Sequence, residues 1–187
     1  CLPRHEKQGK LMRSAMSKKI AFSAMIAAVY AALSLLLAPL SFGQIQLRAA
    51  EALTILPVFN PFAVWGITLG CLITNIIGMA TGANVLGAID VVLGTLATLV
   101  SALLTARMGN LRVFGLPIPA TLPPVFINAA VVGTELCFAS SGILEWRMFA
   151  TFAGLVAVGQ FGACTVLGML LFRALERSGA ADTLRRL

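Results

Sequence analysis

Residues 41–59 read SFGQIQLRAAEALTILPVF, and their interpretation decides how many times the chain crosses a membrane. Between Ile20 and Ala106 the only Asp, Glu, Lys, Arg or His residues are Arg48, Glu51 and Asp90, so this stretch carries most of the charge in that half. Its apolar part, 47–59, has 13 residues, about 20 Å as an α-helix at roughly 1.5 Å per residue. That length fits either a short span or a re-entrant piece.

The surroundings are those of a membrane protein. The 187 residues are 59% hydrophobic with a mean hydropathy of +0.94, above the roughly 45–50% apolar content of soluble domains. Runs of at least about 18 apolar residues, the length that crosses a bilayer, fall at 20–38, 61–80, 85–106, 117–138 and 148–172. The first is longer than the apolar part of a secretory signal and reads as an uncleaved span. Residues 1–16 read as a leader remnant, expected to be disordered and left out of the fold, with the natural start at Met12 or Met16. Residues 17–175 form the membrane domain, and 176–187 a basic cytoplasmic tail.

Counting Lys and Arg decides the opening stretch. If 47–59 spans, there are six helices; 12 basic residues lie on the side of both termini, and Arg48 and Arg147 alone lie opposite. If it does not span, the later segments invert and the partition is seven against seven. The positive-inside rule selects the first arrangement, with both termini cytoplasmic. The expected fold is an all-α integral membrane protein of six transmembrane helices with a short second helix. Pro57 predicts a kink or unwound turn, which a membrane tolerates where protein or a water-filled cavity satisfies the freed backbone.

With that orientation Glu51, Asn75, Asp90 and Glu135 fall on four different helices, all within about 4–8 Å of the same outer boundary. Buried carboxylates in a bilayer face the bundle interior or an aqueous cavity, so these residues predict a polar pocket open to the outside. The alternative is an Arg48–Glu51 ion pair at i, i+3, with Asp90 and Glu135 capping loops at the surface. Asn128, two helical turns deeper than Glu135, shares its face, and Gln160 is a weaker candidate because a lone amide also serves as interhelical glue. On the first helix Ala24, Ala28 and Ala32 recur every fourth residue, beside a second stripe at Ala27 and Ala31. Such stripes permit close backbone approach, within the bundle or to another membrane protein.

Several classes are excluded. There is no Walker-type loop, HExxH or GxSxG context, and the one histidine, His5, lies in the leader, so no catalytic residue, metal or cofactor is expected. Cys1, Cys71, Cys137 and Cys164 lack metal or redox spacing. The net charge of +7 is accounted for by the positive-inside rule, without nucleic acid. Uphill transport would draw on an ion gradient or an ATPase partner.

The runs GQIQLRAAEALTILP (43–57), GCLITNIIG (70–78), GAIDVVLGTLATLVSALLT (87–105) and LPPVFINAAVVGTEL (122–136) resemble the QueT family of queuosine-precursor transporters, substrate-binding S components of energy-coupling factor (ECF) transporters. The resemblance covers residues 17–173. It implies a six-helix fold with a pocket near the outer face, a membrane coupling subunit and two cytosolic ATPases as partners, and docking through Ala24, Ala28 and Ala32. It also implies a 7-deazaguanine ligand in its 7-cyano or 7-aminomethyl form, or queuine. The chain departs from the family pattern at Ala49-Ala50, where a bulkier residue followed by serine is common.

A guanine-type edge offers two adjacent N–H groups that a carboxylate accepts, which puts Glu135 first for that role. Asp90 or Glu51 would take a cationic 7-substituent, Asn75 and Asn128 the ring carbonyl and nitrogens, and Arg48 would orient Glu51 or line the entrance. Phe42, Phe138 or Trp146 would stack on the base, although Trp146 also suits the interfacial belt. The competing expectations are a stand-alone ion-coupled transporter of a nucleobase or vitamin-like solute, titrating at Asp90 or Glu135, and an intramembrane enzyme using two acidic residues.

Overall fold

The computed structural model describes the backbone of residues 4–42 and 47–187. Gly43 to Gln46, the first residues of the GQIQLRAAEALTILP run, lie outside it. The described residues form helices joined by short connections, with no strand beyond an isolated bridge between Val113 and Leu116.

In chain order the helices are α1 (Arg4–Leu36), α2 (Ala38–Ser41), a 3₁₀ helix (Ala49–Val58), α3 (Ala63–Ala80), α4 (Ala88–Met108), a 3₁₀ turn (Ile118–Thr121), and α5 (Leu122–Ser141). Then follow α6 (Trp146–Gln160), a π-helical segment (Phe161–Leu167), α7 (Gly168–Arg177) and α8 (Ala180–Arg186). Five stretches, Met16–Leu36, Ala63–Ala80, Ala88–Met108, Ile118–Ser141 and Trp146–Arg177, are long and apolar enough to cross a membrane. They correspond to the five long runs of the sequence. α1 extends back to Arg4, and the C-terminal stretch folds as α8.

The distribution of polarity identifies the surrounding medium. Trp65, Leu96, Phe126 and Val158 are exposed, whereas Glu51, Asn75, Asp90, Thr98, Ser101, Thr105 and Gln160 are buried. A soluble protein reverses that order. In hydrocarbon it is the stable one, because apolar side chains have nothing to gain from burial and polar ones need internal partners. The protein is a multi-pass membrane protein.

The 13-residue stretch differs from its expected form. It is a 3₁₀ helix over Ala49–Val58, not an α-helix, and at about 2.0 Å per residue its ten residues reach the same 20 Å or so. Pro57 lies within it; the fixed proline φ of about −65° suits 3₁₀ geometry, so the helix absorbs the proline over its whole length. Glu51 shares a cavity wall with Asp90 and Gly94 near the start of α4, while Val58 packs against Gly109 just past its end. The segment therefore runs alongside most of α4.

Glycine makes the close approaches. A Cβ on Gly66 would lie 2.6 Å from the Ser23 carbonyl oxygen, and one on Gly70 2.7 Å from Tyr30 Cβ, so α1 lies directly on α3. The α1 face used includes buried Ala27 and Ala31, which leaves Ala24, Ala28 and Ala32 exposed. Around the Asn60 end, Phe59 stacks on Phe172 at 5.0 Å. There α8 closes over the helix end, with Asn60 Nδ2 donating to the Leu184 carbonyl at 2.9 Å and Arg185 lying over Phe59.

Candidate functional site

The site is built from the Arg48 end of the 3₁₀ helix. Arg48 precedes the first helical residue with an extended backbone, φ −86° and ψ 98°, so the i, i+3 relation that would pair it with Glu51 in an α-helix does not apply. The ion pairs among the described residues are those of Arg185 with Glu176 and Asp182; the Arg48–Glu51 pair, the alternative to a pocket, is not formed. Arg48 instead directs Nη1 at Cys71 Sγ, 3.6 Å away, with its guanidinium over the Phe42 ring at 5.2 Å. Glu51 turns the other way and accepts a hydrogen bond from the Tyr30 hydroxyl at 2.5 Å.

Arg48, Glu51, Asp90, Gly94, Thr98, Asn128, Val132 and Gln160 surround one central cavity. The elements that supply them are the 3₁₀ helix, α4, α5 and the end of α6. Gln160 is the last α6 residue before the π-helical segment; such segments recur at functional sites because the extra residue re-aims neighbouring side chains. Its Oε1 accepts from Asn128 Nδ2 at 3.2 Å and from the Cys164 thiol at 3.3 Å. The enclosed space is about 10 Å³, room for about one water. The space is therefore too small for an organic ligand as it stands, and such a ligand has to widen it.

Asp90 is held in the first turn of α4. Its Oδ2 accepts from Asn84 Nδ2 at 2.7 Å, and its other oxygen lies where a side chain on Gly94 would be. Each cavity carboxylate thus has one oxygen engaged by a protein donor, Tyr30 for Glu51 and Asn84 for Asp90. Asn75 stands behind this wall. Its Nδ2 donates to the Asp90 carbonyl at 3.0 Å and reaches Cys71 Sγ at 3.6 Å, and it braces α3 against α4 without lining the cavity. Cys71 also accepts from Thr98 Oγ1 at 3.3 Å, making the sulfur a common acceptor rather than simple packing.

Of the residues expected at the site, Arg48, Glu51, Asp90 and Asn128 come together, and Asn75 joins them from the second layer. Glu135 lies elsewhere. It is buried, yet it lines a separate groove of about 830 Å³ between α4 and α5, with Ile89, Leu93, Leu96, Val131 and Phe138 among its neighbours. Arg48 Nε, Glu51 Oε2, Asn75 Oδ1 and both Glu135 carboxylate oxygens have no hydrogen-bond partner among the described residues. Burying such groups unpaired costs roughly 1–3 kcal/mol each, more when charged.

Of the proposed stacking residues, Phe42 is covered by Arg48 and lies against Gly78. Phe138 faces the groove, and Trp146 is exposed beside Phe149. Sequence reasoning missed Tyr30, Asn84, Gly94 and Thr98. For Tyr30 a signal existed, since a tyrosine in the middle of an apolar span needs a partner for its hydroxyl. No group of three or more metal-binding side chains occurs among the described residues.

Residues 20–177 match the family described as "QueT transporter". The "Queuosine precursor transporter QueT" of Lactococcus lactis subsp. cremoris (strain MG1363) is 32% identical over 91 residues, 48% of this chain and 50% of that protein. The match thus spans about half the length of that relative. No solved structure matches. A family match over most of the chain, together with a buried polar cavity inside an apolar bundle, leads to one conclusion: the chain belongs to the QueT transporter family.

Proposed function

We propose that the protein is the substrate-binding membrane subunit of an ATP-driven ECF importer for queuosine precursors, the 7-deazaguanines. The observation that carries this reading is the pair of unpartnered Arg48 and Glu51 atoms on residues that line one cavity, with the unpartnered Asn75 amide oxygen behind its wall. A flat base with N–H donors on one edge and carbonyl or ring-nitrogen acceptors on another answers both kinds of group. Support for the ligand comes from the relative's name as a queuosine precursor transporter.

Glu51 and Asp90, each with one oxygen already engaged, take the N–H groups of the base. Arg48 and Asn128 take its acceptors. Glu135 sits across the α5 wall from them, its i−3 neighbour Val132 lining the cavity, and pairs with a cationic 7-aminomethyl group. Because the cavity is too small for a base, binding parts α4 from α5 and joins the cavity to the groove.

The six-span topology with both termini cytoplasmic is part of the same proposal. It rests on the 12-to-2 partition of basic residues and on the 3₁₀ segment running alongside α4. The exposed Ala24, Ala28 and Ala32 face docks on the membrane coupling subunit, which carries the two ATPases. Chemistry is left to those partners, and this chain has no catalytic role.

The test is calorimetric titration of the purified protein with 7-aminomethyl-7-deazaguanine, its 7-cyano analogue, guanine and riboflavin. Binding confined to the deazapurines is expected; binding to neither deazapurine ends the substrate assignment. For docking, Ala28→Trp should abolish co-purification with ATPase subunits while leaving titration unchanged. Uptake that persists without any ATPase would favour a stand-alone ion-coupled transporter.

A further inference from the structure

We propose that Tyr30 is a positioning residue of the ligand site, holding Glu51 so that a single carboxylate oxygen faces the ligand and making α1 part of that site. The inference rests on the reading of Glu51 as a ligand-binding group. Tyr30 is the only tyrosine in the chain and is completely buried in α1. Its hydroxyl donates to Glu51 Oε1 at 2.5 Å, while Oε2 has no partner among the described residues.

A hydrogen bond to a charged acceptor is short and directional. The terminal torsion of a glutamate is otherwise broad and roughly two-fold, so an unheld carboxylate would offer either oxygen, at varying angles. Tyr30 removes that freedom. The phenol is itself held, because Gly70 of α3 lies against its base: a Cβ there would come within 2.7 Å of Tyr30 Cβ and 3.0 Å of Cγ. α3 thus fixes the ring and the ring fixes the carboxylate. Asn84 does the same for Asp90 from the loop before α4, so both carboxylates that line the cavity have one oxygen held by a protein donor.

Any ligand that draws on Glu51 must also change the electron density around the Tyr30 hydroxyl. α1 carries the exposed alanine face on its other side, which puts a residue sensitive to occupancy on the helix that faces outward. Arg48 supplies no substitute hold on Glu51, because its guanidinium is turned to Cys71 and Phe42.

A sole tyrosine makes the test direct. Uniform replacement of tyrosine by fluorotyrosine in the full chain gives one fluorine resonance, which reports from Tyr30 alone. The resonance is expected to shift on saturation with 7-aminomethyl-7-deazaguanine. Glu51→Gln should move it in the absence of ligand and abolish the ligand-dependent shift. By titration, Tyr30→Phe should weaken binding about tenfold, the scale of one hydrogen bond to a charged group. The Tyr30→Phe, Glu51→Gln double variant should bind no more weakly than Glu51→Gln alone, since Tyr30 acts only through Glu51.

Binding by the wild type with an unmoved resonance, or wild-type affinity in Tyr30→Phe, overturns this inference and leaves the proposed function standing. Failure of the wild type to bind either deazapurine overturns both. The resonance needs no substitution at Tyr30, so the matter is decided even if Tyr30→Phe does not fold.

Discussion

Gly94→Ala should separate binding from stability. A Cβ at position 94 meets Asp90 Oδ1, comes within 3.0 Å of Asp90 Cγ, and lies 3.3 Å from Asn75 Nδ2. The carboxylate has to turn away, and turning breaks its 2.7 Å bond from Asn84. A hydrogen bond to a charged group contributes roughly 1.5–3 kcal/mol. If the ligand uses Asp90 as it is held, affinity falls by about 10- to 100-fold at about 1.4 kcal/mol per decade. The same substitution favours α4, because alanine is better than glycine in a helix interior by about 1 kcal/mol. The second effect offsets part of the first, leaving a net loss of about 0.5–2 kcal/mol, so the unfolding temperature in detergent should fall by no more than about 8 °C while binding collapses. Gly154→Ala in α6 is the matched control: its Cβ meets nothing within 4 Å, so it carries the helix gain without touching the cavity. Titration and thermal unfolding of the two variants side by side give the answer. Wild-type affinity in Gly94→Ala would show that the held Asp90 carboxylate takes no part in binding and would refute the reasoning.

Glu135→Gln should lower affinity for the 7-aminomethyl ligand about tenfold or more and leave the 7-cyano ligand unchanged, since only the former is cationic; equal losses for both would return Glu135 to the ring edge. Gly66→Val should lower the unfolding temperature by an amount equivalent to about 1–3 kcal/mol, because the new Cβ meets the Ser23 carbonyl and Ile26 Cβ, at 2.6 and 2.8 Å, and neither can swing aside. An unchanged transition would mean that α1 and α3 part at little cost. Asn60→Ala combined with Arg185→Ala should release α8, seen as faster trypsin cleavage after Arg177, with little change in global stability because Arg185 and its acidic partners are exposed. Unaltered cleavage would show that buried Ala181 alone holds the helix.

What could be read in advance divides along a physical line. The five long spans were legible because a bilayer imposes composition directly: each residue on the outside must be apolar, and each backbone group must be satisfied within its own helix. The 13-residue stretch was legible as a short helix and not in its form. Length arithmetic assumed the α-helical rise, whereas the chain reaches about the same distance with fewer residues in 3₁₀ geometry, and composition does not encode the rise per residue. The convergence of Glu51, Asp90 and Asn128 was likewise readable, since isolated polar residues in apolar runs have only the bundle interior to go to. Which atom meets which was not. Glu135 and Asn128 share a face of α5 by spacing, yet Asn128 reaches the cavity and Glu135 the groove, a difference set by the packing of α4 against them.

The Arg48–Glu51 pair shows where local reasoning stops. Spacing of three residues joined opposite charges on paper, but the helix begins after Arg48, and the partner Glu51 takes lies 21 residues away on α1. The information for that contact was still present in the sequence. A membrane interior leaves no buried hydroxyl or carboxylate to water, so every lone polar side chain in a span is a demand for a partner from another span. Tyr30 is the sole tyrosine of the chain and lies in the first span; Glu51 is the sole carboxylate of the second segment. Matching donors to acceptors across spans, before matching charges along one, joins a lone phenol to a lone carboxylate and leaves Arg48 to partners other than Glu51. That matching also explains how the pocket holds two carboxylates: each has an oxygen hydrogen-bonded by a protein donor, and both line a cavity whose guanidinium is held by sulfur and an aromatic ring, the weakest partners on offer.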